Sequence, residues 1–212
     1  MTRPARCTTE LTALLIVIFG AGLVSGCASD SYAARGAGEG AATGALAGAV
    51  GGMATALIFG GDVGEAAARG AVYGGASGAV VGGMAGARAD DQVAAQKAAE
   101  REREIAQFKQ EIGTDAFNGF VALAECKHEI ALANAREAKR SRNRDFALAG
   151  IWVETLTEAD RNNDEAARAL FPELVANDRE IADEASAADR LAITLDKLGE
   201  IRAEYDLPTT CN

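Results

Sequence analysis

An all-α fold is predicted by three features of the 212-residue sequence. Glycine recurs at every fourth position in two sets: Gly36, Gly40, Gly44, Gly48 and Gly52, then Gly70, Gly74, Gly78, Gly82 and Gly86. From Arg88 to Ile112 the chain turns to Ala, Glu, Lys, Arg and Gln, and from Gly113 to Tyr205 its apolar residues recur at helical spacing. On a helix, position i+4 lies about 40° further round, so each glycine set draws a slowly winding stripe free of side chains. A second backbone can approach closely along such a stripe.

In chain order, Arg3 and Arg6 precede an apolar run from Leu11 to Val24 and then Ser25-Gly26-Cys27. This is the layout of a secretory signal peptide over residues 1–26. Val24-Ser25-Gly26-Cys27 resembles the bacterial lipobox, in which small residues precede a cysteine that is acylated and becomes the new amino terminus. The resemblance implies lipid on Cys27, and Ala28 in place of an aspartate implies outer-membrane sorting in enteric bacteria. Residues 27–35 then read as a short lipidated tether.

Residues 36–88 read as a glycine-zipper membrane hairpin. No charged side chain lies between Glu39 and Asp62, nor between Arg69 and Arg88. Each stretch of roughly 18 to 22 residues is long enough to cross a hydrocarbon core of about 30 Å. Small-xxx-small spacing is how helices pair in lipid, where contact geometry replaces the hydrophobic effect. Interior glycines cost roughly 0.5 to 1 kcal/mol each relative to Ala, which disfavours a lone helix in water. Leu46, Val50, Met53, Leu57 and Ile58 are too apolar for a solvated tether. A hairpin packed against protein is the competing arrangement. Gly60-Gly61-Asp62-Val63-Gly64 supplies the turn, with Glu65 suited to the first turn of the second helix. Lipobox, tether and paired zipper segments together resemble the glycine-zipper outer-membrane lipoproteins of the rickettsial surface-antigen type over residues 27–88. That resemblance implies an envelope location and membrane-associated packing, and no particular activity.

Residues 89–112 form a charged helical connector whose Ile105, Phe108 and Ile112 share one face and should dock on protein. Gly113-Thr114-Asp115 marks a break and a helix start. The domain over 113–212 contains an internal repeat: Ala131, Ala135 and Ala138 correspond to Ala167, Phe171 and Leu174, 36 residues later. Each triplet follows a polar turn, Cys126-Lys127-His128 or Asn162-Asn163-Asp164. Each turn follows an apolar helix, with Phe117, Phe120, Val121 and Leu123 in one and Leu148, Ile151, Trp152 and Leu156 in the other. Helix pairs recurring near this length are similar to tetratricopeptide repeats; a plain antiparallel bundle is the alternative. Pro172 should kink the later helix or reset its start. A helix from about Asp183 to Tyr205 would cap the core.

Cys7 leaves with the signal peptide and Cys27 carries lipid, so Cys126 and Cys211 remain as the disulfide expected in an oxidising periplasm. Removing residues 1–26 takes away Arg3, Arg6 and Glu10 and moves the net charge from -10 to about -11, which disfavours nucleic acid as a partner. The basic cluster from Arg136 to Arg144 reads as a solvated helix end and loop. His128 is the only histidine and reads as a turn residue, leaving few metal-site or triad arrangements. No phosphate loop and no nucleophile–base pair is present, so no catalytic site, cofactor or metal is expected. The expected role is that of a structural or adaptor lipoprotein of the outer membrane. Membrane lipid and another envelope protein are its partners, and self-association would run through the zipper. A pore-like or membrane-perturbing zipper oligomer is the alternative.

Overall fold

The computed structural model describes residues 32–76 and 87–211, which are all-α, with no strand among them. The chain divides at Arg35. The first unit, Met1–Arg35, enters the described residues only at 32–35, in the first turn of α1 (Tyr32–Phe59). The second unit, Gly36–Asn212, holds the remainder. The signal peptide, Cys27 and most of the tether lie outside the described residues, as do Gly78, Gly82 and Gly86.

Gly60 and Gly61, with φ of +85° and +125°, turn the chain from α1 into α2 (Val63–Ala76). Backbone at such angles is open to glycine at little cost. Asp62 Oδ1 accepts from the Glu65 N–H at 2.6 Å and caps the second helix. The glycine stripes meet here. A Cβ at Gly52 would overlap the Ala66 carbonyl oxygen, and one at Gly70 would overlap that of Gly48, so the two backbones touch. The stripe winds as it runs. Gly44 therefore lies under Arg101, and neighbouring Gly51 under Phe108, both from α3 (Ala87–Ile112).

The expected membrane hairpin over 36–88 is described only as far as Ala76 and from Ala87 on, and its described part packs against protein. Leu46, Val50, Met53, Leu57 and Ile58 of α1 are buried in one apolar cluster with Phe117, Phe120, Leu123 and Trp152. The Ala56 carbonyl accepts from Arg190 at 2.9 Å, and Thr55 donates to Glu111 at 3.3 Å. Among the described residues no helix is long and apolar enough to cross a membrane. The reason lies in composition. Ala and Gly leave α1 only weakly apolar despite its length, and a helix apolar all round can be enclosed by protein as well as by lipid.

Ile112 is fully buried, and Ile105 and Phe108 pack on the core, so α3 docks by the face its spacing defines. The N-cap of α4 (Thr114–Ala124) is Gly113 itself, at φ +87° and without a side-chain cap. A Cβ there would meet Phe146 at 2.8 Å. The next helices are α5 (His128–Lys139), α6 (Arg144–Asp160), α7 (Asp164–Ala169) and α8 (Phe171–Asn177). Pro172 stands in the first turn of α8, which resets the helix start as its missing N–H allows.

The repeat extends to the backbone. Helix α4 ends at Ala124 and α6 at Asp160, while α5 starts at His128 and α7 at Asp164, an offset of 36 in both cases (124 to 160, 128 to 164). Cys126 (φ 59°) and Asn162 (φ 61°) occupy equivalent left-handed positions. Lys127 N–H donates to the Ala122 carbonyl and Asn163 N–H to that of Glu158, both at 2.8 Å, which is the bond of a Schellman cap. Ala131, Ala135, Ala138, Ala167, Phe171 and Leu174 are all buried. Helix α9 (Glu184–Glu204) starts at a capping box between Asp183 and Ser186. It ends in the same cap: Asp206 has φ 55° and Leu207 N–H donates to the Arg202 carbonyl at 2.8 Å.

Candidate functional site

The caps that end α4, α6 and α9 gather at one end of the domain, around Arg202. Its guanidinium is 1% exposed. Nε donates to the Ala124 carbonyl at 3.1 Å and Nη2 to that of Leu123 at 2.6 Å, satisfying the last carbonyls of α4. Nη1 and Nη2 also clasp Asp160, the last residue of α6, at 2.7 and 2.8 Å. Asp160 Oδ2 lies 2.7 Å from His128 Nε2, at the first turn of α5. Burial pushes the Asp160 carboxyl up, but the Arg202 and His128 contacts outweigh it and hold the group below the ordinary carboxylate range.

Cys126 and Cys211 are joined by a disulfide with their Cα atoms 5.4 Å apart, tying the carboxyl-terminal tail to the α4–α5 turn. A shallow groove of about 620 Å³ runs beside it, bordered by His128, Arg161 and Asn162. The ligand atoms of His128, Asp160 and Cys211 all lie within 4.8 Å of one another. With its sulfur in a disulfide, Cys211 offers no thiolate to a metal.

A second concavity, about 810 Å³, opens between the α1–α2 hairpin and α3. Gly52, Ala66 and Phe108 line it, with Arg103, Glu100 and Glu104 on the α3 side. Burial pushes the Glu104 carboxyl up. Two stripe glycines line this groove, Gly52 from α1 and Gly70 from α2; Gly48 meets Gly70, Gly44 lies against Arg101, and Gly36, Gly40 and Gly74 lie elsewhere in the same two helices.

The basic cluster is partly used inside the domain. Lys139 bridges Glu154 at 2.8 Å and Glu173 at 3.0 Å, joining α5, α6 and α8. Burial alone would lower its pKa, but the two carboxylates carry it upward. Arg140 pairs with Glu137 on the surface. Sequence reasoning made His128 a turn residue and overlooked Asp160 and Arg202. The signal for Arg202 was its register: Leu191, Thr194 and Leu198 are buried, and position 202 continues their stripe. Trp152, whose Nε1 donates to buried Asp178 at 2.8 Å, is likewise a polar contact within the core. No family model matches the chain, and neither a curated protein nor a solved structure is found to be similar to it.

Proposed function

We propose that this protein is a cell-envelope lipoprotein with a structural or adaptor role, held to the outer membrane by acylated Cys27 and presenting its helical domain to the periplasm. The observation that carries the adaptor part is the repetition, 36 residues apart, of the Cys126 and Asn162 caps with their buried triplets. It supports a tetratricopeptide-like pair of units closed by α9, an architecture that presents extended surfaces to partners. The enclosure of α1 by protein supports a brace rather than a membrane span: the glycine-zipper hairpin stiffens the domain. The groove between hairpin and α3, with an apolar floor and charges of both signs, suits an apolar side chain of a partner segment flanked by polar ones.

Membrane extraction tests the anchor. With lipid on Cys27 as the sole attachment, a Cys27→Ala variant from which residues 1–26 have still been removed should leave the membrane in alkaline carbonate while the unaltered chain stays. Retention of the variant would return the hairpin to the bilayer. For the partner, a photo-crosslinker at Gln107 in the groove should capture an envelope protein. The same group at Ile193, on the exposed face of α9, should not; equal capture from both positions rules the groove out.

A further inference from the structure

We propose that the Cys126–Cys211 disulfide masks a zinc-type metal site, and that its reduction creates a four-ligand set: the thiolates of Cys126 and Cys211, the imidazole of His128 and the carboxylate of Asp160. This stands apart from the adaptor reading and rests on the cluster at the cap end of the domain. His128 Nε2, an Asp160 oxygen and Cys211 Sγ already lie within 4.8 Å of one another, and Cys126 Sγ is bonded to Cys211 Sγ. Zinc bonds of about 2.0 to 2.3 Å in a tetrahedron place ligand atoms roughly 3.3 to 3.8 Å apart, so the three clustered atoms need shift by about an ångström, while Cys126 Sγ, outside that cluster, turns in about its Cα–Cβ bond once the disulfide is open.

His128 Nε2 and Asp160 Oδ2 face each other at 2.7 Å. A cation can take the place of the shared proton as the pair opens slightly. Arg202 keeps its hold on Asp160 and orients the carboxylate from behind, as outer partners of metal ligands do. Charge favours the exchange. Two thiolates, one carboxylate and one guanidinium carry a net charge of minus two, which a divalent cation cancels in a partly buried setting. Two sulfurs, a nitrogen and an oxygen suit a borderline-soft cation such as zinc.

The reductant required is a dithiol. One of its thiolates attacks the protein disulfide, and its second closes the reductant into a disulfide, passing two electrons to Cys126 and Cys211, which leave as thiols. Metal binding then expels one proton from each thiol. The groove beside the pair gives both reagents access.

Cobalt serves as the probe, added to the full chain in detergent after treatment with a dithiol and removal of excess reductant under inert gas. The reduced chain should bind a single cobalt ion with a thiolate charge-transfer band and strong tetrahedral visible absorption, both erased by zinc. The oxidised chain should show neither band. His128→Ala should weaken binding at least about tenfold. Three results overturn the proposal: no thiolate band in the reduced chain, equal affinity in His128→Ala, or equal affinity when the reduced chain is held in denaturant. If reduction unfolds the domain, cobalt should restore the buried fluorescence of Trp152, and failure to do so also overturns it.

Discussion

Replacing Arg202 with Met should destabilise the domain by about 3 to 5 kcal/mol. The guanidinium makes four hydrogen bonds from a site 1% exposed: one each to the carbonyls of Leu123 and Ala124 and two to Asp160. Met fills much of the volume but strands the helix-end carbonyls and leaves a carboxylate, itself only 10% exposed, without its cation. Urea unfolding followed by fluorescence of Trp152, the single tryptophan and fully buried, reads the loss directly. Adding Asp160→Leu to Arg202→Met should recover part of it, because replacing both partners of a buried pair costs less than removing one. The pH dependence has a definite sign. The Asp160 pKa is lowered on folding, so its contribution is complete above the unfolded carboxyl value of about 4 and fades as pH falls through the lower folded value. The gap between wild type and Arg202→Met should hold from neutral pH to about 5 and narrow below about 4. A loss under about 1 kcal/mol, or a gap unchanged in acid, would refute the reasoning.

Gly52→Leu and Gly70→Leu place side chains against the backbone of the opposing helix and should each cost about 1 to 3 kcal/mol or more in urea unfolding. Gly199→Ala is the opposite case: a Cβ there meets nothing within 4 Å on α9, and stability should rise by about 0.5 to 1 kcal/mol. Asn143 accepts from the Asp145 N–H at 2.9 Å as the N-cap of α6, so Asn143→Ala should lose about 1 kcal/mol in the same assay. Removing both Cys126 and Cys211 opens a sequence separation of 85 residues. Under metal-free conditions the stability should fall by up to about 4.5 kcal/mol in the chain-entropy account.

Much of the fold was legible because local rules and tertiary packing agree. The 36-residue offset appeared as apolar triplets after polar turns. The structure repeats it in the Cys126 and Asn162 caps, where left-handed backbone makes a helix end visible without a glycine. Pro172 was legible as either a kink or a helix start, and it stands at a start because its missing N–H is harmless only in a first turn. The Cys126–Cys211 pair emerged by setting aside two other cysteines. The hairpin shows where periodicity stops. Its four-residue glycine spacing marks close approach of a backbone in either solvent, so the destination of Val50, Met53 and Leu57 was not in the pattern. His128, Asp160 and Arg202 lie far apart in sequence on three helices; the register of α9 marks Arg202 as buried, but no local spacing brings the three together.

The sequence by itself determined that this chain is helical, where most of its helices begin and end, which faces are apolar, and that α1 and α2 meet along glycine. These follow from backbone sterics and a 3.6-residue period, which act within a few residues. Only the tertiary structure decided that α1 enters a protein core, that Phe108 and Arg101 cover two of its glycines, and that a buried arginine from α9 satisfies the last carbonyls of α4. Such choices depend on long-range contacts that bury an apolar surface or satisfy a polar atom, and their free energy exists only once distant segments have met.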